Sequence, residues 1–321
     1  MRLSFVTPLA GLVGLGVLLP ALALLERRAA AERARRALGI SAAAGRATLL
    51  ALGALALAGT LVGLAAAQPV LERSERRQVR TDAEVFVVLD VSRSMLAQAG
   101  ESSPTRLARA KAEAGALRAA LPEVRVGLAS LTDRLLPHLF PSAAEDVFAA
   151  TLERSLGVDR PPPRSSLSTI ATGLDALRAA RSLRFFSPEA TKRVLVVYTD
   201  GESLPVARAR LASALLSLPA IGLVLVHVWG AEERVYSGGA PEPQYEPDAG
   251  SRALLEGVAA STQGAVLGEG DPDRVAAKVK ALLGDGPTEA AEGASRRYRL
   301  APYLLLAALA PCGLLLWRRE R

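Results

Sequence analysis

The segment 85–95, VFVVLDVSRSM, decides the fold of this chain. It joins an apolar run to a polar end, at which Asp90, Ser92 and Ser94 follow one another at intervals of two residues. An uninterrupted apolar run predicts a strand buried on both faces, as in a parallel sheet covered by helices. The carboxylate and the two hydroxyls supply oxygen ligands of the kind that Mg²⁺ or Mn²⁺ prefers. The segment therefore predicts a buried strand with a candidate metal site at its carboxyl end.

A second apolar run, residues 194–198, ends in a similar way and leads into Thr199-Asp200-Gly201-Glu202. Two such strands in a parallel sheet end at the same edge, where open α/β sheets bind their ligands. We therefore expect Asp90 and Asp200 to lie close together. Between the two strands, the segment 165–170, SSLSTI, carries several hydroxyls directly before a helical pattern and can supply a further oxygen.

The rest of residues 70–285 alternates between short β-rich runs and longer amphipathic runs, which is typical of a doubly wound α/β fold. We expect a mostly parallel sheet with helices on both faces and an antiparallel edge strand at residues 135–140. The predicted strands are 84–91, 124–130, 135–140, 193–199, 221–229 and 265–267. The predicted helices are 106–120, 143–155, 169–181, 206–218, 251–260 and 272–283. The last helix has a clear start, with Asp271 as N-cap and Pro272 at its first position.

Three motifs together resemble the metal-ion-dependent adhesion site of von Willebrand factor type A domains. They are the DVSRS of residues 90–94, the hydroxyls before Ile170 and the TDGE of residues 199–202. The resemblance implies a Rossmann-like fold and a site for Mg²⁺ or Mn²⁺ that a carboxylate of a partner protein completes. It also implies that hydroxyls bind the metal directly and that the two aspartates act through water. The implied metal residues are Asp90, Ser92, Ser94, Ser168 and Asp200, with Thr169 as the alternative to Ser168.

The sequence departs from the family pattern at two positions. The usual glycine between the two serines is Arg93, which adds a cation that would repel a metal ion or attract an acidic partner. The family's threonine, two residues before the isoleucine, is Ser168 here, and a shift of one residue would place Thr169 in the site. Glu202 is expected to support the site rather than bind the metal, and His138 and His227 are expected to be core or surface residues.

The composition predicts a membrane protein. Half of the 321 residues are hydrophobic and the mean hydropathy is +0.24, which is high for a soluble chain. Three stretches, residues 5–25, 47–67 and 300–317, approach the ~20 apolar residues that a spanning helix needs. We expect three transmembrane helices. The expected division is 1–69 for two helices with a basic loop, 70–285 for the type A domain, 286–299 for a linker and 300–321 for the last helix and a basic tail.

The arginines predict the orientation in the membrane. The connection between the first two apolar stretches, residues 26–46, is rich in arginine, and short loops of this kind stay in the cytoplasm. We therefore expect a multi-pass protein of the cytoplasmic membrane with an extracytoplasmic type A domain.

The distribution of charge along the chain shows where the basic residues lie. Residues 82–285 carry 22 Lys+Arg against 25 Asp+Glu, so the net charge of +7 comes from the membrane-flanking segments. The lipid bilayer is therefore the expected partner of these basic segments, and nucleic acid is not.

Helices on both sides of the domain make the chain similar to the bacterial aerotolerance-operon, or Bat-type, membrane proteins. The resemblance implies a binding or scaffold module rather than an enzyme, working with a MoxR-type AAA+ ATPase and other type A membrane proteins. One alternative is a structural scaffold whose metal site is empty. Another is a Mg²⁺-dependent phosphatase of the haloacid dehalogenase type, but Ser92 stands where that mechanism needs an acid. The single cysteine, Cys312, lies in the third apolar stretch and leaves no disulfide within the chain.

Overall fold

The computed structural model describes residues 2–38, 46–160, 162 and 173–319. They form two compact units, one of residues 1–75 and 295–321 and one of residues 76–294. The strands are β1 (Arg2–Phe5), β2 (Pro69–Arg80), β3 (Ala83–Asp90), β4 (Arg125–Leu131), β5 (Leu135–Ser142), β6 (Lys192–Thr199), β7 (Ile221–His227), β8 (Tyr236–Ser237), β9 (Ala240–Pro241), β10 (Ala265–Gly268) and β11 (Thr288–Arg299). The α-helices are α1 (Leu18–Ala37), α2 (Arg46–Ala66), α3 (Arg106–Ala120), α4 (Glu145–Ser155), α5 (Ala179–Ser182), α6 (Arg208–Leu216), α7 (Ser251–Thr262), α8 (Pro272–Leu283) and α9 (Ala301–Arg319).

The larger unit is built on a six-stranded sheet in the order β10-β7-β6-β3-β4-β5. Its pairs are parallel except for the edge pair β4 and β5, which is antiparallel. The chain first builds outward from β3 through β4 to β5, and then returns to place β6 on the other side of β3. The strand order therefore reverses between β3 and β6, and the crevice at such a point is where open α/β sheets bind ligands.

The pattern of burial explains why β3 is apolar throughout. All eight of its residues are buried, and alternate side chains point to opposite faces of the sheet. Val85, Val87 and Leu89 belong to one core cluster with residues of α3 and α8. Phe86 and Val88 belong to the other cluster, with residues of α6 and α7. Helices therefore cover both faces, as the sequence predicted.

Most of the predicted elements are confirmed within a few residues, and α3 and α8 have the predicted bounds. The predicted helix 169–181 begins outside the described residues; its described part is a 3₁₀ helix, Leu174–Arg178, followed by the short α5. The segment 286–299, which was expected to be a linker, contains β11, a strand of a second sheet with order β1-β2-β11. Its Ala-, Glu- and Arg-rich sequence has low strand propensity, so the pairing stabilises a strand that local sequence does not indicate.

The expectation of three transmembrane helices is wrong for the third. Among the described residues, two helices are long and apolar enough to cross a bilayer, Pro8–Ala34 and Leu49–Ala66. The apolar part of α9, Ala301–Trp317, is shorter, and Pro311 lies inside it.

The first apolar helix begins as a 3₁₀ helix, Pro8–Val17, whose glycines allow close packing on α2. A Cβ atom added at Gly14 would lie 2.7 Å from the carbonyl oxygen of Gly59.

The cap of α8 provides a test of the local analysis. The Asp271 side chain accepts a hydrogen bond of 2.9 Å from the backbone amide of Arg274, as expected for an N-cap. We expect Asp271→Ala to lower the free energy of unfolding by about 1 kcal/mol, measured by urea denaturation. Asp271→Asn keeps the acceptor and should be nearly neutral. An equal loss in both variants would show that the cap does not stabilise this helix.

Candidate metal centre

The carboxyl ends of β3 and β6 position the candidate ligands. Leu89 pairs with Tyr198 in the parallel ladder, so Asp90 and Thr199 end the two strands side by side. After Asp90 the chain turns into a short 3₁₀ helix, Arg93–Leu96, which follows Ser92 and contains Ser94. The side chains of the two aspartates and two serines at this edge are all buried. The structure thus brings together four of the predicted metal residues, Asp90, Ser92, Ser94 and Asp200.

The Asp90 carboxylate is held by one hydrogen bond on each oxygen. Its Oδ1 accepts a bond of 2.9 Å from the backbone amide of Ser92, and its Oδ2 accepts one of 2.6 Å from the Thr199 hydroxyl. These bonds tie the turn after β3 to the end of β6. Burial, followed by the negative charge of Asp200, nevertheless raises the pKa of Asp90 to about 7. A cation close to the two carboxylates would offset the repulsion between them.

The two serine hydroxyls have a spacing that fits a metal ion. The Oγ atoms of Ser92 and Ser94 lie 3.0 Å apart. Neighbouring ligands of an octahedron with Mg²⁺–oxygen bonds of about 2.1 Å are about 3 Å apart, so the two hydroxyls can occupy adjacent positions. Over the part of the chain that the structure describes, no group of three or more His, Cys, Asp or Glu is placed to hold a metal. A cation at this edge would therefore depend on hydroxyl oxygens.

Asp200 is paired with a buried arginine that the sequence analysis missed. Arg106, at the start of α3, is fully buried, and its Nη1 lies 3.0 Å from Asp200 Oδ2. The other oxygen of Asp200 accepts a hydrogen bond of 3.0 Å from the backbone amide of Glu202. An arginine inside a domain requires paired carboxylates, because an isolated buried charge is very costly. Arg106 therefore fixes Asp200 and neutralises part of the negative charge at the site.

Arg106 also connects the site to more distant parts of the fold. Its Nη1 donates to Glu202 Oε1 at 2.8 Å and its Nε donates to Glu233 Oε2 at 2.6 Å. The Tyr245 hydroxyl accepts a bond of 2.8 Å from Arg106 Nη1 and donates one of 2.8 Å to Glu202 Oε1. Burial alone would lower the pKa of Arg106, but the charge of Asp200 and the hydrogen bonds to the two glutamates offset that effect and raise it. Arg109, one turn along α3, extends the network to Glu233 and Glu269.

A long segment after β7, residues 230–250, lies beside the site and is called the strap here. The strap contains the hairpin of β8 and β9. Just before this hairpin, Arg234 forms paired backbone bonds with Gln98, in the loop after Ser94, each of 3.0 Å. Glu242 of the strap forms an ion pair with Arg93, the residue that replaces the usual glycine. Residues of the strap, Arg93 and Ser94 line a cavity of about 370 Å³. The motif's departure at Arg93 is therefore matched by a carboxylate on the strap.

The remaining expectations for the site have mixed outcomes. Ser168 and Thr169 lie outside the described residues. Glu202 supports the site through Arg106, and the Nε2 atom of His227 lies 3.0 Å from the carbonyl oxygen of Asp200, where it helps to fix the loop.

The structure also places Asp159, which the sequence analysis did not single out, beside the strand that ends at Asp90. Its amide donates to the Val91 carbonyl at 2.9 Å, and one of its carboxylate oxygens is buried without a partner among the described residues.

One sequence signal could have revealed Arg106. Two arginines, Arg106 and Arg109, stand in the first turn of α3, where the helix dipole disfavours positive charge. Basic residues at a helix N-terminus predict nearby acids. Which acids these are could not be read from the sequence, because Glu202, Glu233 and Glu269 come from three loops that are distant along the chain.

Comparisons with known proteins agree with this fold. Residues 85–202 match the family model of the von Willebrand factor type A domain. The structure is similar to that of BatB, a conserved hypothetical protein from Bacteroides thetaiotaomicron, with a TM-score of 0.51 and 20% identity over 62% of this chain and 98% of that one. It is also similar to an aerotolerance-related membrane protein from Bacteroides fragilis NCTC 9343, with a TM-score of 0.50 and 21% identity over 63% and 98%. No curated protein matches this sequence.

A more distant similarity is to the manganese-loaded TRAP protein of Plasmodium vivax, with a TM-score of 0.42 and 10% identity over 71% of this chain and 83% of that one. The family match and the two Bacteroides structures confirm the predicted von Willebrand type A domain and the resemblance to Bat-type proteins. They establish the fold of the larger unit.

The pKa of Asp90 leads to a prediction about pH. In the folded domain this pKa lies near 7, above its ordinary value near 4, so ionisation of Asp90 opposes folding. The metal-free domain should therefore lose stability through this group as the pH rises from 4 through 7. Asp90→Asn should raise the melting temperature at pH 8, by about 2 to 4 °C per kcal/mol regained, and do little at pH 4.

Thermal unfolding of residues 76–294 in EDTA at both pH values measures this effect. Glu189→Gln, which removes an exposed acid outside the helices, is the matched control and should change little at either pH. Equal effects of Asp90→Asn at pH 4 and pH 8 would contradict the proposed electrostatic cause.

Proposed function

We propose that this chain is a membrane-anchored, divalent-cation-dependent protein-binding module that acts by adhesion or as a scaffold rather than as an enzyme. The observation that carries the proposal is the pair of hydroxyls of Ser92 and Ser94, 3.0 Å apart, beside the buried carboxylates of Asp90 and Asp200. This arrangement lies where the strand order reverses, at the ligand-binding edge of the sheet. The match of residues 85–202 to the type A domain family supports the same reading.

The residues present fit Mg²⁺ or Mn²⁺. Ser92 and Ser94 would hold the ion directly, and Asp90 and Asp200 would supply negative charge through water. When bound, the cation would supply positive charge to attract an acidic group of a partner. Thr199 and Arg106 serve the site by fixing the two aspartates at the end of their strands. Ser168 or Thr169 remains the proposed source of the third hydroxyl.

The strap suggests how a partner reaches the site. Ser92 and Ser94 are buried, so an outside carboxylate has to enter through a neighbouring space. The cavity between Arg93 and the strap is such a space, and Arg93 itself is 44% exposed. A carboxylate of the partner would exchange with Glu242 on Arg93 as it approaches the metal. Arg93 would then select acidic partners instead of preventing metal binding.

A scaffold role with an empty metal site is the second candidate, and Arg106 favours it. Its guanidinium already neutralises Asp200 and Glu202, so the site has a cation of its own. Such a domain would use the same fold to present surfaces to other proteins. The two candidates differ in whether added metal stabilises the fold.

The membrane arrangement and the partners are part of the proposal. Two apolar helices precede the type A domain. We propose that the arginine-rich residues 26–46, which begin within α1 rather than in a loop as the sequence predicted, are cytoplasmic. The domain would then face outward. The resemblance to Bat-type proteins further suggests a MoxR-type AAA+ ATPase and other type A membrane proteins as partners. A cytoplasmic ATPase would contact the basic residues 26–46 rather than the metal site.

Metal binding should stabilise the purified domain. A ligand that binds only the folded state at a hundredfold excess over its Kd adds about 2.7 kcal/mol. We expect millimolar Mg²⁺ or Mn²⁺ to raise the melting temperature, and Ser92→Ala or Ser94→Ala to remove that gain. Ser102→Ala, an exposed serine outside the site, is the matched control. If neither metal raises the melting temperature of the wild-type domain, the scaffold role with an empty metal site is the better explanation.

The ion pair between Arg93 and Glu242 should restrict access to the site. We expect Glu242→Gln to free Arg93 and to increase the Mn²⁺-dependent affinity for a glutamate-containing peptide several-fold, as measured by fluorescence anisotropy. Glu246→Gln, an exposed change on the same strap, should have no effect. If Glu242→Gln weakens binding, Glu242 itself contributes to the site and does not compete with the partner.

The orientation can be tested with fusions. A reporter that is active only outside the cytoplasm should be active when it is fused after Asp285 and inactive when it is fused at Gly39, because the arginine-rich segment stays inside. A reporter that is active only in the cytoplasm should give the opposite pattern. The reverse result with both reporters would place the metal site in the cytoplasm.

A further inference from the structure

A second concave surface lies at the opposite edge of the central sheet from the candidate metal centre. It is formed by the start of β3, the end of β5 and the segment 180–188, and it encloses a cavity of about 520 Å³. We call this cavity the basic pocket and define it by Phe140, Phe186, Arg181, Arg184 and Arg193. Its volume falls within the range of about 300–1,000 Å³ that is typical of ligand-binding clefts.

Aromatic rings form the apolar wall of the basic pocket. The ring of Phe86, buried in the core, contacts Phe185 and Phe186 at centroid distances of 4.9 and 5.4 Å. The ring of Phe140 meets Phe86 edge-on at 6.5 Å but is 57% exposed. Phe140 therefore contacts the core through Phe86, while the rest of its ring is exposed in the pocket. An exposed aromatic ring beside a cleft is a feature of protein interaction sites.

Arginines on the other side of the basic pocket bind neutral carbonyl groups. Arg193 donates to the backbone oxygens of Ala190 and Ser187 at 2.6 and 3.0 Å. Arg181 donates to the backbone oxygens of Ser217 and Leu218, both at 2.9 Å. Arg184 is exposed. Among the described residues, none of the three forms an ion pair with a carboxylate, so their positive charges are not neutralised inside the domain.

Glu84, the one acid among the described residues that line the basic pocket, is already engaged. Glu84 is buried, and its two carboxylate oxygens accept bonds of 2.7 and 2.8 Å from the hydroxyl and the amide of Ser187. Burial lowers the pKa of Arg193; the charge of Glu84 opposes this effect and that of Arg181 adds to it. Three arginines therefore face one carboxylate. This excess of positive charge stands out in a domain whose acids outnumber its bases.

We propose that the basic pocket binds an acidic segment of a partner protein, independently of the metal site. An aromatic or branched apolar side chain of the partner would pack on the exposed ring of Phe140. Its carboxylates would lie at Arg184 and Arg193, since a guanidinium pairs with a carboxylate through two parallel hydrogen bonds. The pocket is concave and backbone carbonyls fix two of its guanidinium groups. A protein segment fits such a preformed surface better than the flat face of a lipid bilayer.

The test is a selection from a phage library of random dodecapeptides on the full chain in nanodiscs of neutral lipid. Peptides that bind nanodiscs without the protein are removed by counter-selection. We expect the enriched peptides to combine Asp or Glu with an aromatic or branched apolar residue. Their affinity, measured by fluorescence anisotropy, should fall about tenfold or more in Arg184→Glu and in Phe140→Ser, as expected for loss of a charged contact or an apolar anchor.

Arg210→Glu is the matched control, because it makes the same charge change at an exposed position outside the basic pocket. It should leave the affinity unchanged, and so should EDTA, which separates this site from the metal centre. Enrichment of peptides without acidic residues, or an equal loss in Arg210→Glu, would overturn the proposal. So would binding to vesicles of phosphatidylglycerol that Arg184→Glu abolishes while no peptide is enriched, because that result would assign the pocket to the membrane surface.

Discussion

The buried carboxylates of Asp90 and Asp200 lie where the strand order of the central sheet reverses, and much of the domain is arranged around them. The parallel pairing of β3 with β6 brings Asp90 next to the end of the strand that precedes Asp200. Each carboxylate raises the cost of charging the other, and burial adds to that cost. Arg106 meets part of this demand from within the fold, and a divalent cation on the serine hydroxyls would meet the rest. In the proposed function, Arg106 and the divalent cation would therefore neutralise the same two carboxylates.

The same arrangement explains why the network around Arg106 extends so far. A buried guanidinium needs several acceptors, and Asp200, Glu202 and Glu233 provide them from three separate segments. Tyr245 ties the strap to this group through Glu202. A continuous chain of polar contacts therefore runs from Asp200 through Arg106 and Glu202 to Tyr245 of the strap. The basic pocket at the other edge shares none of these residues, so the two proposed partners would not compete for the same side chains.

The sequence predicted the fold of the larger unit because its strands are buried on both faces and read as uniform apolar runs. It also predicted the positions of Asp90, Ser92, Ser94 and Asp200, because each follows such a run. It did not reveal Arg106 as a member of the site, since its acidic partners lie on loops distant in sequence. It missed β11, whose composition has no strand preference of its own. It also predicted a third transmembrane helix, although the apolar part of α9, Ala301–Trp317, is shorter than either candidate span.

Direct location of the metal tests the account best. Crystals of residues 76–294 soaked in Mn²⁺ would be measured at an X-ray energy where manganese scatters anomalously. We expect one strong anomalous peak within bonding distance of the Oγ atoms of Ser92 and Ser94, with Arg106 still paired to Asp200, and no peak in Ser94→Ala crystals. A domain that binds no manganese at this edge under saturating conditions would contradict the metal-dependent function and leave Arg106 as the cation that neutralises Asp200.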